Sequence, residues 1–327
     1  MTDHFFEGAE KLLEIWFGTS SENKLTARND LRHIPRDVFE DVLNLVNCKV
    51  LKYAQSKDID TYVLSESSAF VFKTHIILKT CGATTLLAAV QPLISLAHEY
   101  AGFDTVDQIF YSRRKFLRPD LQKDPHTNFE HEVSYLNSLC GEGCSYVLGR
   151  TNLDCWYLYT LDKSCGSKRS DQTLEVIMTD LDPEIMKIFY QDNTTSAADA
   201  TEKAGIDKIF PDAKIYDYLF EPCGYSMNGL MSDDHYFTIH VTPEPDFSYV
   251  SFETNVPYSL FDGLIRKVVE LFNPGKFVTT IFRSSTLNSL DTNRKYFHYT
   301  NYSRVDHHII CLTDHDLLYS YYKKTLR

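Results

Sequence analysis

Four short stretches of this sequence carry side chains able to move protons or attack carbonyl groups. In Tyr62-Val63-Leu64-Ser65-Glu66-Ser67-Ser68, hydroxyls and a carboxylate interrupt a pattern that is apolar on both sides, from Thr61 to Leu64 and from Ala69 to Leu78. Cys81-Gly82 closes the second of those runs, Ser226 lies in the glycine-flanked segment 222–229, and His240 lies in the segment 235–242. Imidazole is the side chain best suited to take and return a proton near neutral pH. Each residue also has an ordinary reading: Ser65 to Ser68 as a tight turn, Ser226 as a turn residue, His240 as a hydrogen-bonded structural histidine, and Cys81 as a small apolar core residue.

Strand periodicity sharpens some of these. Alternation over 235–242 puts Tyr236, Thr238, His240 and Thr242 on one face and Phe237, Ile239 and Val241 on the other, so His240 belongs to the polar face. In a strand over 173–178, Asp171, Thr173 and Glu175 share a face, and Glu253 shares one with Tyr249 and Ser251. Glu244, between Pro243 and Pro245, reads locally as a solvated loop acid. These acids are either exposed or, if buried, costly without cations such as Lys11 and Lys79.

Taken in order, His4-Phe5-Phe6-Glu7-Gly8, the Ser65 to Ser68 stretch, Leu78-Lys79-Thr80-Cys81-Gly82, Pro222-Cys223-Gly224-Tyr225-Ser226-Met227-Asn228-Gly229 and His240-Val241-Thr242-Pro243-Glu244-Pro245 resemble the eukaryotic S-adenosylmethionine decarboxylases. These are the pyruvoyl enzymes of spermidine and spermine synthesis. The resemblance runs from His4 to about Phe282, and 283–327 carries no landmark of the family.

It implies an α+β fold, a four-layer αββα sandwich of two largely antiparallel sheets packed face to face with helices outside, forming one domain over 1–327. It further implies self-cleavage between Glu66 and Ser67 into a small chain, 1–66, and a large chain, 67–327. Ser67 becomes a pyruvoyl group that takes the substrate as a Schiff base, with neither a metal nor pyridoxal phosphate. Decarboxylation of an amino acid leaves a carbanion that ordinary side chains cannot delocalise, and such a self-made ketone supplies the electron sink. Matched residue by residue, Cys81 donates the proton to the decarboxylated carbon, Glu7 and Glu10 join it in catalysis, and Ser226 and His240 serve processing. Phe6 and Phe220 sandwich adenine, Glu244 takes the ribose hydroxyls and Glu66 belongs to the substrate-binding set. Glu14, Asp171, Glu175 and Glu253 match the residues that bind putrescine, an activator of animal members. The resemblance allows a dimer of heterodimers or a single heterodimer. Rival readings are a non-catalytic regulatory relative of the same fold and a thiol hydrolase using Cys81 with His240, which would keep an uncut chain.

The bulk properties agree with such an enzyme. The 327 residues are 43% hydrophobic, enough for a large core, and 21 Tyr and 21 Phe against 13 Gly favour an ordered, strand-rich chain. A net charge of −12 disfavours a nucleic-acid partner and suits a cationic ligand. The 8 cysteines are scattered and no basic-then-apolar leader precedes them, so reduced thiols in a cytoplasmic protein are expected. Cys140 and Cys144 lack a second ligand pair, so no metal site is expected.

These residues need strands and helices to hold them. Strands are expected at 50–54, 61–65, 69–79, 145–148, 155–161, 173–178, 235–242, 247–254 and 277–282. Helices are expected at 37–46, 84–100 with a break at Pro92, 183–190 and 258–272. Residues 4–17 fit helix or strand on spacing, and the resemblance favours strand. Segments 117–128, 164–171 and 193–203 read as loop, and the second half repeats the first half's run of strands and covering helices.

Overall fold

A computed structural model describes residues 5–20, 25–163, 171–232, 234–284 and 299–325. His4, Cys165 and most of the expected 164–171 connector lie outside the described residues. The chain divides into two compact units, Met1–Lys163 and Ser164–Arg327.

The first unit contains β1 (Lys11–Gly18), α1 (Arg36–Leu45), β2 (Val50–Gln55), β3 (Asp60–Leu64), β4 (Ser67–Val71), β5 (His75–Thr80), α2 (Val90–Ala101), β6 (Thr105–Arg114), α3 (Phe129–Cys140), β7 (Cys144–Gly149) and β8 (Cys155–Thr160). Its strands form one sheet in the order β2-β3-β4-β5-β1-β6-β8-β7, every neighbouring pair antiparallel. Leu13, Ile15 and Phe17 of β1 point to one face, where Phe39, Val42, Val90, Leu93 and Leu136 of the helices complete a core. The intervening Glu14 and Trp16 are buried on the other face.

The second unit contains β9 (Gln172–Thr179), α4 (Pro183–Met186), α5 (Ala197–Ala204), β10 (Lys214–Leu219), β11 (Tyr225–Leu230), β12 (Tyr236–Thr242), β13 (Tyr249–Thr254), α6 (Phe261–Phe272), β14 (Lys276–Ser284), β15 (Tyr302–Cys311) and β16 (His315–Lys324). The sheet order is β10-β11-β12-β13-β9-β14-β16-β15, again antiparallel throughout. The two orders have the same connectivity: in each, the first strand of the unit enters between its fifth and sixth. This is the structural form of the repeat expected from the second half of the sequence. Each unit is a sheet with helices on one face, the α+β layer pair of which a four-layer sandwich is made. In α6, Phe261, Leu264, Ile265, Val268, Val269 and Phe272 are all buried on one stripe, each contributing about 1.5–3 kcal/mol.

Several elements differ from expectation. The apolar run 69–79 is split by a turn at Phe72 to Thr74 into β4 and β5. Pro92 does not break a helix: a 3-10 turn, Leu86–Ala89, precedes α2, and Pro92 falls in the first α-turn, where a missing N–H costs nothing. Ahead of that turn the Thr84 hydroxyl donates to the Cys81 carbonyl at 2.8 Å. The supposed loop 193–203 holds α5, capped by Ser196 at its start and by Gly205, at φ 71°, past its end. Strands β6, β10, β11, β15 and β16, and helix α3, were not read from the sequence.

Gly229 of β11 lies opposite Phe237 of β12, and a Cβ there would collide with the Phe237 ring. That ring packs on Phe210 at 5.0 Å and Phe252 at 6.4 Å, so it has no room to yield. Gly229→Ala should therefore destabilise the protein by about 1–3 kcal/mol, the usual cost of overpacking. Urea unfolding followed by circular dichroism measures this, and a midpoint equal to wild type would refute it.

Candidate active site

The hairpin between β3 and β4 turns on two residues, Ser65 and Glu66, with Leu64 paired to Ser67. Ser65 makes the turn the local reading asked for: its backbone N–H donates to the Lys49 carbonyl at 2.8 Å and its hydroxyl accepts from Lys49 N–H at 3.0 Å. Ser67 behaves differently. Alternation with Ala69 and Val71 would turn it toward the helix-covered face, but its φ of 128° is one L-residues rarely adopt. The hydroxyl instead reaches the Glu10 carboxylate, whose other oxygen lies 3.4 Å from the Lys79 ammonium. Ser67, Glu10 and Lys79 are all buried.

The Glu66 carbonyl is the acceptor at the centre of this region. Cys81 donates to it twice, from its backbone N–H at 2.8 Å and from its thiol at 3.3 Å. The thiol also lies 3.8 Å from Glu66 Oε2. Burial pushes the Glu66 carboxyl up to about 6, against the Cys81 hydrogen bond and the Lys11 charge. Burial likewise pushes the Cys81 thiol up, helped by the charges of Glu66 and Glu10, which keeps it protonated.

Gly82 is required by its surroundings. It sits at φ 63°, and a Cβ on it would meet the Phe6 ring at 3.1 Å and Glu66 Oε2 at 3.3 Å. Its N–H donates to the Glu7 carbonyl at 2.8 Å. The Glu7 carboxylate accepts from the backbone N–H groups of Leu117, at 2.8 Å, and Arg118, at 3.0 Å. Burial raises its pKa in spite of those two donors. Phe6 is half-buried, leaving part of its ring outside any core. Phe6, Glu7, Glu10, Glu66, Ser67 and Cys81, scattered over the sequence, thus form one cluster in the first unit.

The second unit holds another. Ser226 and His240 are directly opposed on β11 and β12, and Ser226 Oγ lies 2.8 Å from His240 Nδ1. His240 Nε2 lies 2.8 Å from Thr238 Oγ1, which is also 2.9 Å from the Met227 carbonyl and from Asn228 Oδ1. Both of the latter are acceptors, so the single hydroxyl proton of Thr238 goes to one of them and its oxygen accepts from Nε2–H. That fixes the tautomer: Nδ1 carries the lone pair and faces the Ser226 hydroxyl.

On the same face, Glu253 of β13 opposes Glu175 of β9. Glu253 accepts from the Tyr236 hydroxyl at 2.7 Å, and Glu175 lies 3.3 Å from Thr280 Oγ1. Both carboxylates are buried. Asp171 stands one residue before β9, its carbonyl accepting from Ser284 N–H at 2.8 Å, while Glu14 stands in the first unit on β1. Phe220 is half-buried beyond β10, its ring edge-on to Tyr218 at 4.9 Å and its N–H donating to the Gly224 carbonyl at 2.8 Å. Glu244 is half-buried beside Cys223, whose thiol is pushed up to about 12, chiefly by burial and then by the Glu244 charge.

Thr238 and the backbone donors at Leu117 and Arg118 were not found from sequence. For Thr238 the signal existed, since a hydroxyl two residues before His240 on one strand must share its face. The loop donors left no signal, because backbone N–H groups are the same at every residue.

Carboxylates, a strained serine and a thiol thus gather at one end of a sheet, in an antiparallel α+β fold whose two units share a strand order. The profile of the adenosylmethionine decarboxylase family matches residues 3–323. The S-adenosylmethionine decarboxylase proenzymes of Xenopus laevis and Drosophila melanogaster are each 46% identical, over 98% of this chain and 96% and 95% of theirs. That of Caenorhabditis elegans is 48% identical over 86% of this chain and 77% of its own. The crystal structure of the Trypanosoma brucei AdoMetDC-delta26 monomer superposes with a TM-score of 0.59 at 25% identity, covering 79% of this chain and 99% of that one. The chain belongs to the adenosylmethionine decarboxylase family, and is a carboxy-lyase.

Thr238→Val removes the hydroxyl that lies 2.8 Å from His240 Nε2. Nitrogen chemical shifts of the His240 ring should show one tautomer in wild type and a mixture in the variant. A single unchanged tautomer in Thr238→Val would show that Thr238 does not set it.

Proposed function

We propose that this chain is a self-processing, pyruvoyl-dependent decarboxylase that converts S-adenosylmethionine to its decarboxylated form, the aminopropyl donor of spermidine and spermine synthesis. The observation that carries the reading is the state of the Glu66-Ser67 bond: a serine in a strained backbone, its hydroxyl on a carboxylate, following a carbonyl that already accepts two hydrogen bonds. The Ser67 hydroxyl attacks the Glu66 carbonyl and Glu10 receives its proton. Oxyanion charge then develops on an oxygen already served by the Cys81 N–H, and one such donor is worth about 3 kcal/mol, roughly a hundredfold in rate. The acyl shift turns the peptide bond into an ester. Elimination of that ester requires loss of the Ser67 α-proton, for which His240, with its lone pair on Nδ1 and Ser226 as partner, is the base; it frees the Glu66 carboxylate and leaves a dehydroalanine, whose imine form water hydrolyses with release of ammonia.

The pyruvoyl group so formed supplies the ketone that receives the electrons released with CO2. The remaining work falls to side chains. Cys81 holds a proton that burial keeps on sulfur until the substrate carbon needs it. Phe6 and Phe220 offer ring faces to adenine and to the sulfonium, and Glu244 offers a carboxylate to the ribose. Glu7, fixed by two backbone donors, orients the substrate. Cleavage at 66/67 would leave β1, β2 and β3 in the small chain. Because β1 lies between β5 and β6 of the large chain, the pieces stay joined by both edges of that strand.

Putrescine fits the acidic face of the second unit. Two buried carboxylates in direct cross-strand opposition repel one another, and a diamine offsets both charges. Assembly as a dimer of heterodimers, and a place in the cytoplasm, accord with the family; among the described residues no helix is long and apolar enough to cross a membrane.

Purified protein should run as two chains on a denaturing gel and Ser67→Ala as one. Mass spectrometry of the larger chain should find a blocked, pyruvoyl N-terminus, and an active protein with an intact Glu66-Ser67 bond would overturn the proposal. Putrescine should raise turnover of wild type several-fold but leave Asp171→Ala and Glu253→Ala unaffected; a wild type indifferent to it would remove the activator.

A further inference from the structure

Lys11 begins β1 and is 0% exposed. Its ammonium donates to the Gly82 carbonyl at 2.9 Å and to Gln122 Oε1 at 3.4 Å, and lies 5.3 Å from the centroid of the Phe116 ring. All three partners are uncharged, and no carboxylate lies within ion-pairing distance of it among the described residues. Lys79, on the neighbouring strand, contrasts with it, being paired to Glu10 at 3.4 Å. A buried cation held only by neutral oxygens and a ring has its charge solvated but not cancelled.

The register shows what that charge faces. Lys11 pairs with Thr80 across β1 and β5, so the residue after its cross-strand partner is Cys81, and the carbonyl it grips belongs to Gly82. Of the neighbouring charges that act on Lys11, that of Cys81 weighs most, then Glu132 and Arg113, then Glu7. Those acting on Cys81 are Glu66 and Glu10, which oppose its ionisation, Lys11, which favours it, and Cys48, which weakly opposes it.

We propose that Lys11 is the built-in counter-charge of the thiolate that Cys81 becomes in each turnover, and that its bond to Gly82 fixes that thiol beside the substrate. This rests on Cys81 being the proton donor. When the proton leaves, the S–H bond breaks, a C–H bond forms on the substrate carbon and the electron pair stays on sulfur. Two carboxylates would then repel the new thiolate, and the Lys11 ammonium is a positive charge that favours it. A proton from water restores the thiol as product departs. Lys11 touches no reacting atom and is a positioning residue. Burial lowers its own pKa to about 8, so its charge is present at neutral pH and fades above that.

The test uses processed Lys11→Met and Lys11→Arg enzymes, with Cys81→Ala as control. Iodoacetamide alkylation of Cys81, read by peptide mass spectrometry across pH, reports thiolate formation. In Lys11→Met the alkylation rate at pH 7, where the wild-type ammonium is still charged, should fall about tenfold, kcat should fall with KM little changed, and more turnovers should end with the large-chain N-terminus converted to alanine by misplaced protonation. A wild-type alkylation profile together with a wild-type kcat in processed Lys11→Met would overturn the proposal. Should Lys11→Met fail to process, Lys11→Arg decides. Arginine keeps its charge above pH 8, so Cys81 should ionise at lower pH than in wild type, and an unshifted profile overturns the idea. A fully active Cys81→Ala with clean product would instead remove the proton-donor reading on which this one stands.

Discussion

The hydrogen bond from the Cys81 amide to the Glu66 carbonyl, 2.8 Å long, is the constraint around which the first unit is arranged. It ties the β3–β4 turn to the end of β5, so the peptide bond between Glu66 and Ser67 cannot relax independently of the Cys81-Gly82 turn. Gly82 in turn binds the Glu7 carbonyl through its N–H and the Lys11 ammonium through its own carbonyl. Three segments remote in sequence meet at one peptide bond. The strain at Ser67 persists because these contacts over-determine its backbone, as strained residues in folded proteins generally require.

Electrostatics follow from where these groups lie. A sheet with helices on one face should show charge on the other only where water reaches it, yet Glu10, Glu14, Lys79, Glu175 and Glu253 are buried. Such groups are tolerated when hydrogen-bonded and paired, and the pairings are specific: Glu10 with Lys79 and Ser67, Glu253 with Tyr236. Burial raises the pKa of Glu66 and of the Cys81 thiol. Acids that hold protons near neutral pH suit a site that must deliver one to carbon.

The two sheets share a strand order, but their clusters are built differently. In the first unit the cluster gathers at strand ends and a turn, whereas in the second the side chains lie on adjacent antiparallel strands, where directly opposed residues approach most closely. Ser226 faces His240 and Glu253 faces Glu175 by register alone. Positions that pair across strands are fixed as firmly as the sheet itself, which gives such sites a rigidity that loops would not.

The sequence by itself determined many of the strands and helices and the alternation that assigns His240 and Thr238 to one polar face, because strand periodicity is a local property. Ordered motifs also sufficed to suggest the family. Local pattern could not show that residues 105–114, 214–219 and 225–230 form strands, since short polar-interrupted runs owe their state to neighbouring strands. Nor could it show that Pro92 opens a helix rather than breaking one. The reach of Ser67 to Glu10, the double donation of Cys81 to the Glu66 carbonyl and the unpaired ammonium of Lys11 were decided by tertiary structure alone. Each depends on which strands become neighbours and on a single backbone angle, quantities fixed only when the whole sheet closes.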